Sequence, residues 1–575
     1  MRIIAAVLLS LCSFISYAQN AKVLYQKALE KYEQQDYAGA LADFNMVLKK
    51  DPYYNEAYFY RANCKYELKQ YQECIDDFNK SILLNPDNYG VYYNRGIARF
   101  YTNDVSGSVT DFTKAIELGP DSSAAYYARG NSRYALKEYQ ESMDDYTKAI
   151  ELKPDCWAYY LNNGNSKFKI GDKKGAIADY DKVIALDSNI QGAYKNRALV
   201  KDEEKDSDGA FLDYTKAITL NPADTQSYLN RGNIKLEKGD KDGAIADYSK
   251  TIELDPAYAL AYNNRGFAKF ELNNVDGAII DYNKSIEINS DSIIAYMNRS
   301  QALYARMDTM GALADLDKVI SIDPSAYKAY YNKGFIERGQ GDNSAALADL
   351  TKSIELNPDN LSSYYQRVIV YYRLENMSGI IKDCNKIISI DPINAFAYYK
   401  RAVAKVRMND RTGAMADYDK SIVLNPESAE VYANRAYLKA IQGNMTGALA
   451  DFNKAAALQD STVIVYKERA MVKEYLKDYQ GAIADLTKAI ALNPKDGRAY
   501  KQRAGVKQSL ENYKGAIADF TKAIELDPKD GEAYKERGCL KMVALKDTKG
   551  GCADLNKALS LGNTDSLHMI DGFCK

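Results

Sequence analysis

Asparagine side chains at a regular 34-residue spacing are the groups in this chain best suited to bind another molecule. They occur at Asn94 and Asn434, and without interruption at Asn162, Asn196, Asn230, Asn264, Asn298 and Asn332. A primary amide donates and accepts hydrogen bonds, so a row of amides can bond the backbone of an extended peptide whatever its sequence. The alternative is that each amide only caps a helix or bonds neighbouring backbone. Recurrence at one position of a repeated unit favours peptide binding.

A second series pairs a basic with an acidic residue. An Arg directly follows the asparagine position in thirteen of sixteen cycles, and an Asp stands sixteen residues further on, or seventeen in the last cycle. Examples are Arg231 with Asp247, Arg265 with Asp281 and Arg299 with Asp315. One such pair per cycle predicts a structural ladder of charge-assisted hydrogen bonds between facing helices. An anionic ligand on the Arg row is the less favoured interpretation, because every cycle has its Asp.

Catalytic and metal chemistry find little support in the residue types. His568 is the only histidine, so neither a histidine-based triad nor a histidine metal cluster is expected. No Gly-rich phosphate loop, Cys-x-x-Cys pair or nucleophile elbow occurs in the chain. A formal net charge of −2 gives no reason to expect nucleic acid. We therefore expect a protein that is not an enzyme and needs no cofactor or metal.

The elements that position these side chains follow from the prolines. All twelve lie on one 34-residue grid: Pro52, Pro86, Pro120, Pro154, Pro222, Pro256, Pro324, Pro358, Pro392, Pro426, Pro494 and Pro528. Proline cannot continue a helix, so it ends a helical segment at a fixed phase of each cycle. Between prolines, two helical apolar patterns of about a dozen residues predict a helical hairpin. Residues 21–562 thus hold sixteen such units, with one inserted residue in the last, and residues 563–575 are expected to cap the stack.

Residue sizes predict how a hairpin closes, if Ala21 is taken as position 1. Positions 8 and 20 are small in nearly every cycle, whereas position 24 is large, as in Gly232, Ala244 and Tyr248. Small residues let two helices approach, and the ring fills the space that remains. Position 11 is mostly basic, as in Lys235, and we expect its stem to cover apolar surface while its tip reaches water.

This pattern resembles the tetratricopeptide repeat family. The segment AYNNRGFAKFELNNVDGAIIDYNKSIEINS, from Ala261 to Ser290, carries the small residue, the alanine and the aromatic of that signature. The resemblance implies an all-α fold, a right-handed superhelical α-solenoid of about 16 units with a concave face lined mainly by first helices. The family consists chiefly of protein-binding scaffolds, and the asparagine row is similar to the ladder of O-linked N-acetylglucosamine transferase and to the amide clamps of chaperone-binding domains.

The N-terminus predicts export. Arg2 precedes an apolar stretch from Ile3 to Ile15, and small residues end at Ala18, which is typical of a signal peptide over residues 1–18. Cys12 raises a lipoprotein alternative, which Leu11 disfavours because lipoprotein signals have a small residue there. We expect a periplasmic or secreted protein with no membrane-spanning segment after cleavage.

Export makes the cysteines relevant. Cys64 and Cys74, and likewise Cys539 and Cys552, stand on the two helices of one hairpin and are candidates for a bridge. We favour the alternative, in which they are small buried apolar residues.

The sequence therefore predicts an exported scaffold that binds an extended peptide or a partner protein on its concave face. The rival hypothesis is an envelope assembly scaffold that acts through its edges or convex surface, with no peptide in the groove.

Overall fold

The computed structural model describes residues 20–459 and 462–574, which fall into two compact units divided between Ala302 and Leu303. Each unit consists of successive helical hairpins, and no β-strand occurs in the residues described. The predicted all-α solenoid fold is confirmed. The signal peptide expected at residues 1–18 lies outside the described residues.

The helices of unit 1 have these bounds: α1 (20–33), α2 (Tyr37–Lys50), α3 (Asn55–Glu67), α4 (Tyr71–Leu84), α5 (Tyr89–Tyr101), α6 (Val105–Leu118), α7 (Ser123–Ala135), α8 (Tyr139–Leu152), α9 (Trp157–Lys169), α10 (Lys173–Leu186), α11 (Gln191–Glu203), α12 (Ser207–Leu220), α13 (Thr225–Glu237), α14 (Lys241–Leu254), α15 (Ala259–Glu271) and α16 (Val275–Ile288). The division between the units falls within α17 (Ile293–Ala305).

The helices of unit 2 have these bounds: α18 (Thr309–Ile322), α19 (Tyr327–Gln340), α20 (Asn343–Leu356), α21 (Leu361–Arg373), α22 (Met377–Ile390), α23 (Ala395–Arg407), α24 (Arg411–Leu424), α25 (Ala429–Ile441), α26 (Met445–Leu458), α27 (Val463–Tyr475), α28 (Tyr479–Leu492), α29 (Gly497–Ser509), α30 (Tyr513–Leu526), α31 (Gly531–Leu545), α32 (Thr548–Ser560) and α33 (Asp565–Phe573). Among the described helices, none is long and apolar enough to cross a lipid bilayer.

The turn inside a hairpin is set by a left-handed residue followed by a capping carboxylate. In the α13–α14 hairpin, Gly239 has a φ of +83°, and Asp240 then accepts a hydrogen bond from the Gly243 N–H at 3.0 Å. This bond satisfies one of the amide groups left free at a helix start. A Cβ on Gly243 would lie 2.1 Å from Asp240 Oδ2, so a larger residue there requires the Asp240 side chain to move, as it has in the α19–α20 hairpin, where Asp342 caps Ala345 at 3.0 Å.

The core is a row of small clusters between first and second helices. Tyr248 is fully buried, and a Cβ on Gly232 would lie 2.7 Å from its Cε1 atom. The same cluster contains Ala261 and Ala268 of the following hairpin. Each ring therefore closes its own hairpin and supports the next one, which makes stacking of neighbours a condition of stability.

A disulfide fixes the C-terminal helix. Cys552 of α32 is bonded to Cys574, with a Cα–Cα distance of 5.7 Å, and α33 packs on α32. Cys539 is not bridged to Cys552; its Sγ lies 3.1 Å from Met569 Sδ. The sequence pattern missed this pairing because it depends on how α33 folds back. Cys64 and Cys74 are unbridged and fully buried.

Candidate binding groove

Charge pairs hold the two helices of each hairpin together. Arg231 donates from Nε and Nη2 to the Asp247 carboxylate at 2.8 and 2.7 Å. Arg265 donates to Asp281 in the same way, at 2.9 and 2.6 Å. Both carboxylates are almost completely buried. A buried carboxylate is stable only with such partners, so each Arg is a structural requirement of the hairpin.

The third donor of each guanidinium reaches the preceding hairpin. Nη1 donates from Arg231 to Thr215 at 3.3 Å, from Arg265 to Ser249 at 3.2 Å and from Arg299 to Asn283 at 2.7 Å. Asp315, which the sequence pairs with Arg299 at a spacing of sixteen residues, is buried in unit 2. The Arg series therefore links second helices of successive hairpins as well as the two helices of one hairpin.

The basic residues at position 11 differ from the expectation that their tips reach water. Lys235 Nζ lies 2.9 Å from Asp247 Oδ2, and Lys269 Nζ lies 2.7 Å from Asp281 Oδ2. Each buried carboxylate is thus shared by two cations. A long stem on the first helix reaches the carboxylate because positions 7 and 11 lie one turn apart on one side of the helix.

The asparagine series contacts the preceding hairpin. Its Nδ2 bonds are Asn94 to Asn63 (2.9 Å), Asn162 to Asn131 (2.9 Å) and Tyr127 Oη (3.0 Å), Asn196 to Asn165 (2.8 Å), Asn230 to Tyr214 Oη (3.0 Å), Asn264 to Asn233 (3.0 Å), Asn298 to Asn263 (3.0 Å), and Asn434 to Tyr399 Oη (3.3 Å). Asn332 is half-buried on α19. These amide hydrogens take part in stacking one hairpin on another.

The carbonyl oxygens of the series are less engaged than the amide hydrogens. Asn165 Oδ1, which accepts from Asn196, also accepts from Tyr180 Oη at 2.8 Å, so the ring and two amides form one junction. Within the described part of the chain, the Oδ1 atoms of Asn162 and Asn196 accept no hydrogen bond. The Oδ1 atoms of Asn230 and Asn264, by contrast, accept from Gln226 at 2.9 Å and Asn263 at 3.1 Å, so the acceptors left for a ligand's N–H groups are those of Asn162 and Asn196.

Pockets occur on the same side of the first helices in unit 2. We call the surface formed by positions 2, 5, 6, 9, 12 and 13 of the first helices the first-helix face. One pocket of about 510 Å³ contains Tyr365 and Phe396, a second of about 520 Å³ contains Tyr372 and Tyr437, and a third of about 520 Å³ contains Tyr437 and Ile464. Asn434 of the predicted series lines the second and third pockets.

The charges along this groove differ from pocket to pocket. Arg407 and Arg411 line the second pocket, whereas Glu430 and Glu468 line the third. Burial raises the pKa of Glu468, and its neighbour Lys467 opposes that shift. Pockets with an apolar lining and a few convergent polar groups are typical ligand sites. In residues 20–459 and 462–574, no group of His, Cys, Asp and Glu is arranged to hold a metal ion.

Family profiles match many separate stretches of the chain. Those described as tetratricopeptide repeats match residues 56–88, 123–156, 259–292, 327–360, 399–461, 465–496 and 497–530, and one described as a TPR repeat matches 232–273. The chain belongs to the tetratricopeptide repeat family. Tetratricopeptide repeats form scaffolds typical of protein–protein interaction.

Three solved tetratricopeptide structures are similar to parts of this chain at low sequence identity. YrrB, described as a TPR protein with an unusual peptide-binding site, is 24% identical, with 34% of this chain and 97% of that chain covered and a TM-score of 0.30. The C-terminal part of a Cytophaga hutchinsonii TPR protein is 19% identical, with 41% and 97% covered and a TM-score of 0.37. A Parabacteroides merdae tetratricopeptide repeat protein is 17% identical, with 44% and 99% covered and a TM-score of 0.34. No curated protein sequence matches the chain.

The pockets on the first-helix face in unit 2 of this tetratricopeptide protein were not among the sites predicted from the sequence. No asparagine of the central run from Asn162 to Asn332 lines the pockets described above, whereas Asn434, which lies outside that run, lines two of them. The available signal was Ile441 at position 13, which is acidic in several other cycles, beside the large apolar side chains of Tyr372 and Tyr437 at positions 12 and 9. These three side chains are about half exposed.

Proposed function

We propose that this tetratricopeptide repeat protein is an exported scaffold that binds an extended peptide or a partner protein along its first-helix face. The observation that carries the proposal is the series of three pockets on that face in unit 2. Exposed Tyr372, Tyr437 and Ile441 concentrate apolar surface there, and such clustering marks interaction sites. The free Oδ1 atoms of Asn162 and Asn196 support a contribution of unit 1 as hydrogen-bond acceptors.

The cysteines support the export part of the proposal. The Cys552–Cys574 bond joins α32 to the chain after α33. Disulfides persist in oxidising compartments such as the periplasm and the exterior, and are rare in the cytosol. This agrees with a signal peptide over residues 1–18.

The test is a selection of peptides followed by binding measurements on groove variants. A random decapeptide library displayed on phage is selected on residues 19–575, and the recovered peptides are titrated against the Tyr437→Ser/Ile441→Ser variant. We expect binding to weaken by at least about tenfold, because both side chains line the second pocket and are half exposed.

The matched control is Met310→Ser/Val423→Ser, which removes two exposed apolar side chains from the second helices α18 and α24. It should bind every selected peptide as the unaltered chain does. Equal affinity for the groove variant and this control would contradict binding on the first-helix face and favour an edge or convex surface.

A further inference from the structure

Two arginines line the second pocket, and one of them, Arg411, lacks the carboxylate partner that the lysines at its position have in unit 1. In the two second helices of unit 1 that begin with a lysine, this lysine pairs with an acid thirty residues later, on the next first helix. Lys173 lies 3.3 Å from Glu203, and Lys241 lies 3.2 Å from Glu271. This pairing neutralises a cation that stands at a helix N-terminus, where positive charge is unfavourable.

In unit 2 the same two positions are no longer complementary. Arg411 is the first residue of α24, and thirty residues later stands Ile441 instead of an acid. Arg407 occupies the acid position of α23, and thirty residues before it stands Met377 at the start of α22. Arg411 therefore has an apolar residue where its counter-ion belongs, and Arg407 replaces an acid without a cation at the partner position.

No other carboxylate in the described ranges neutralises these arginines. Neither guanidinium forms an ion pair within residues 20–459 and 462–574, and both side chains are exposed. The adjacent Asp410 caps α24, where its Oδ1 accepts from the Gly413 N–H at 2.9 Å. The two positive charges thus face the same pocket as the exposed rings of Tyr372 and Tyr437.

We propose that the second pocket binds an extended peptide segment in which an acidic side chain lies close to a large apolar one. The carboxylate pairs with Arg407 and Arg411, and the apolar side chain packs between Tyr372, Tyr437 and Ile441. Guanidinium–carboxylate pairs are strong and directional, which fixes the register of the segment. The pocket volume of about 520 Å³ places the two ligand side chains within about three residues of each other, at the reach of an extended chain.

This inference rests on the proposed function and adds the chemistry of the ligand. The random decapeptide selection is repeated with Arg407→Gln/Arg411→Gln and with Arg407→Glu/Arg411→Glu. The matched control is Lys318→Gln/Lys420→Gln, which removes two exposed cations from the second helices α18 and α24. Library peptides selected on the unaltered chain should be enriched in Asp or Glu within three residues of Phe, Tyr, Trp, Leu or Ile.

The variants separate the possible outcomes. We expect the glutamine variant to bind the selected peptides about tenfold more weakly, the glutamate variant to select Lys and Arg instead, and the lysine control to behave as the unaltered chain. If the selected peptides bind the unaltered chain but not the Tyr437→Ser/Ile441→Ser variant, and show no enrichment in Asp or Glu, the inference is overturned and the proposed function stands. If the peptides are insensitive to Tyr437→Ser/Ile441→Ser, both are overturned.

Discussion

At the scale of single residues, the buried carboxylates of the second helices determine whether a hairpin stays closed. Asp281 is 2% exposed and contacts Arg265 by two hydrogen bonds and Lys269 by an ion pair. A charge in such surroundings is stable only because its partners surround it. The partners depend on it equally, since removal of the acid leaves two cations in a confined space.

We expect Asp281→Ala to destabilise the α15–α16 hairpin by about 3–5 kcal/mol, the cost of leaving a part-buried charge without its partner. Hydrogen exchange of the α15 and α16 amides measures the loss locally. The control on the same helix is Glu287→Ala, whose pair with Lys284 is exposed to solvent and therefore adds little stability. Equal exchange in the two variants would contradict the ladder as a stabilising structure.

The sequence predicted the Arg–Asp spacing but not every partner. The recurrence of Asp sixteen residues after Arg was sufficient to place both on facing helices. The contact of Lys269 with Asp281 was not predictable, because a long side chain can reach either water or a neighbouring carboxylate from the same position. For Asn264, the pattern predicted a position inside the first helix, whereas its bond to Asn233 depends on the distance between hairpins.

At the scale of elements, the α19–α20 hairpin reverses the usual charge pattern. Glu337 occupies position 11, which is basic in most other cycles, and Asp349 stands on the facing helix. Lys333 is shared, with Nζ 2.9 Å from Asp317 and 3.5 Å from Asp349. Burial, reinforced by the Asp349 and Asp342 carboxylates and opposed by Lys333, raises the pKa of Glu337 to about 8.

This raised pKa predicts that the hairpin loses stability as the pH rises. Glu337 ionises in the unfolded chain near its ordinary pKa of 4.5 but in the folded chain only near 8. The stability that protonated Glu337 gives the folded chain is therefore fully present below about pH 4.5 and is lost as the pH approaches 8. The loss in the free energy of unfolding is about 1.4 kcal/mol for each unit by which the two pKa values differ. We expect Glu337→Gln to abolish this slope in denaturation measured from pH 5 to 9.

The control for the pH series is Glu355→Gln on α20, whose exposed carboxylate pairs with Lys352. It should keep the slope of the unaltered chain. Parallel pH profiles for Glu337→Gln and the unaltered chain would show that this carboxyl ionises normally in the folded state.

At the scale of the whole molecule, the two units share one construction but differ in the residues at position 13 of their first helices. Position 13 carries Glu203, Glu237 and Glu271 in unit 1, and Arg373 and Arg407 in unit 2. The 34-residue grid was enough to predict the hairpins, since each hairpin is specified by the sizes of its own core residues and, in most cycles, by the proline that ends its second helix. The pockets of unit 2 were not predictable from it, because they arise where single cycles depart from the repeat.

Export can be tested on the whole molecule by intact mass. The protein recovered from the exterior or periplasm of its own cells should begin at Gln19 and be lighter by two hydrogens, owing to the Cys552–Cys574 bond. The Cys552→Ser variant should lose the signal peptide but not show the disulfide's mass difference. A full-length, fully reduced chain found inside the cell would contradict export.

The contacts between hairpins make complete cycles interchangeable. Excision of residues 225–258 would place Arg265 opposite Thr215, whose hydroxyl can replace that of Ser249. Asn264 would then meet Tyr214, the partner that Asn230 has now. Because the groups at successive junctions make hydrogen bonds of the same kind, we expect removal or duplication of a complete cycle to shorten or lengthen the molecule without a new fold.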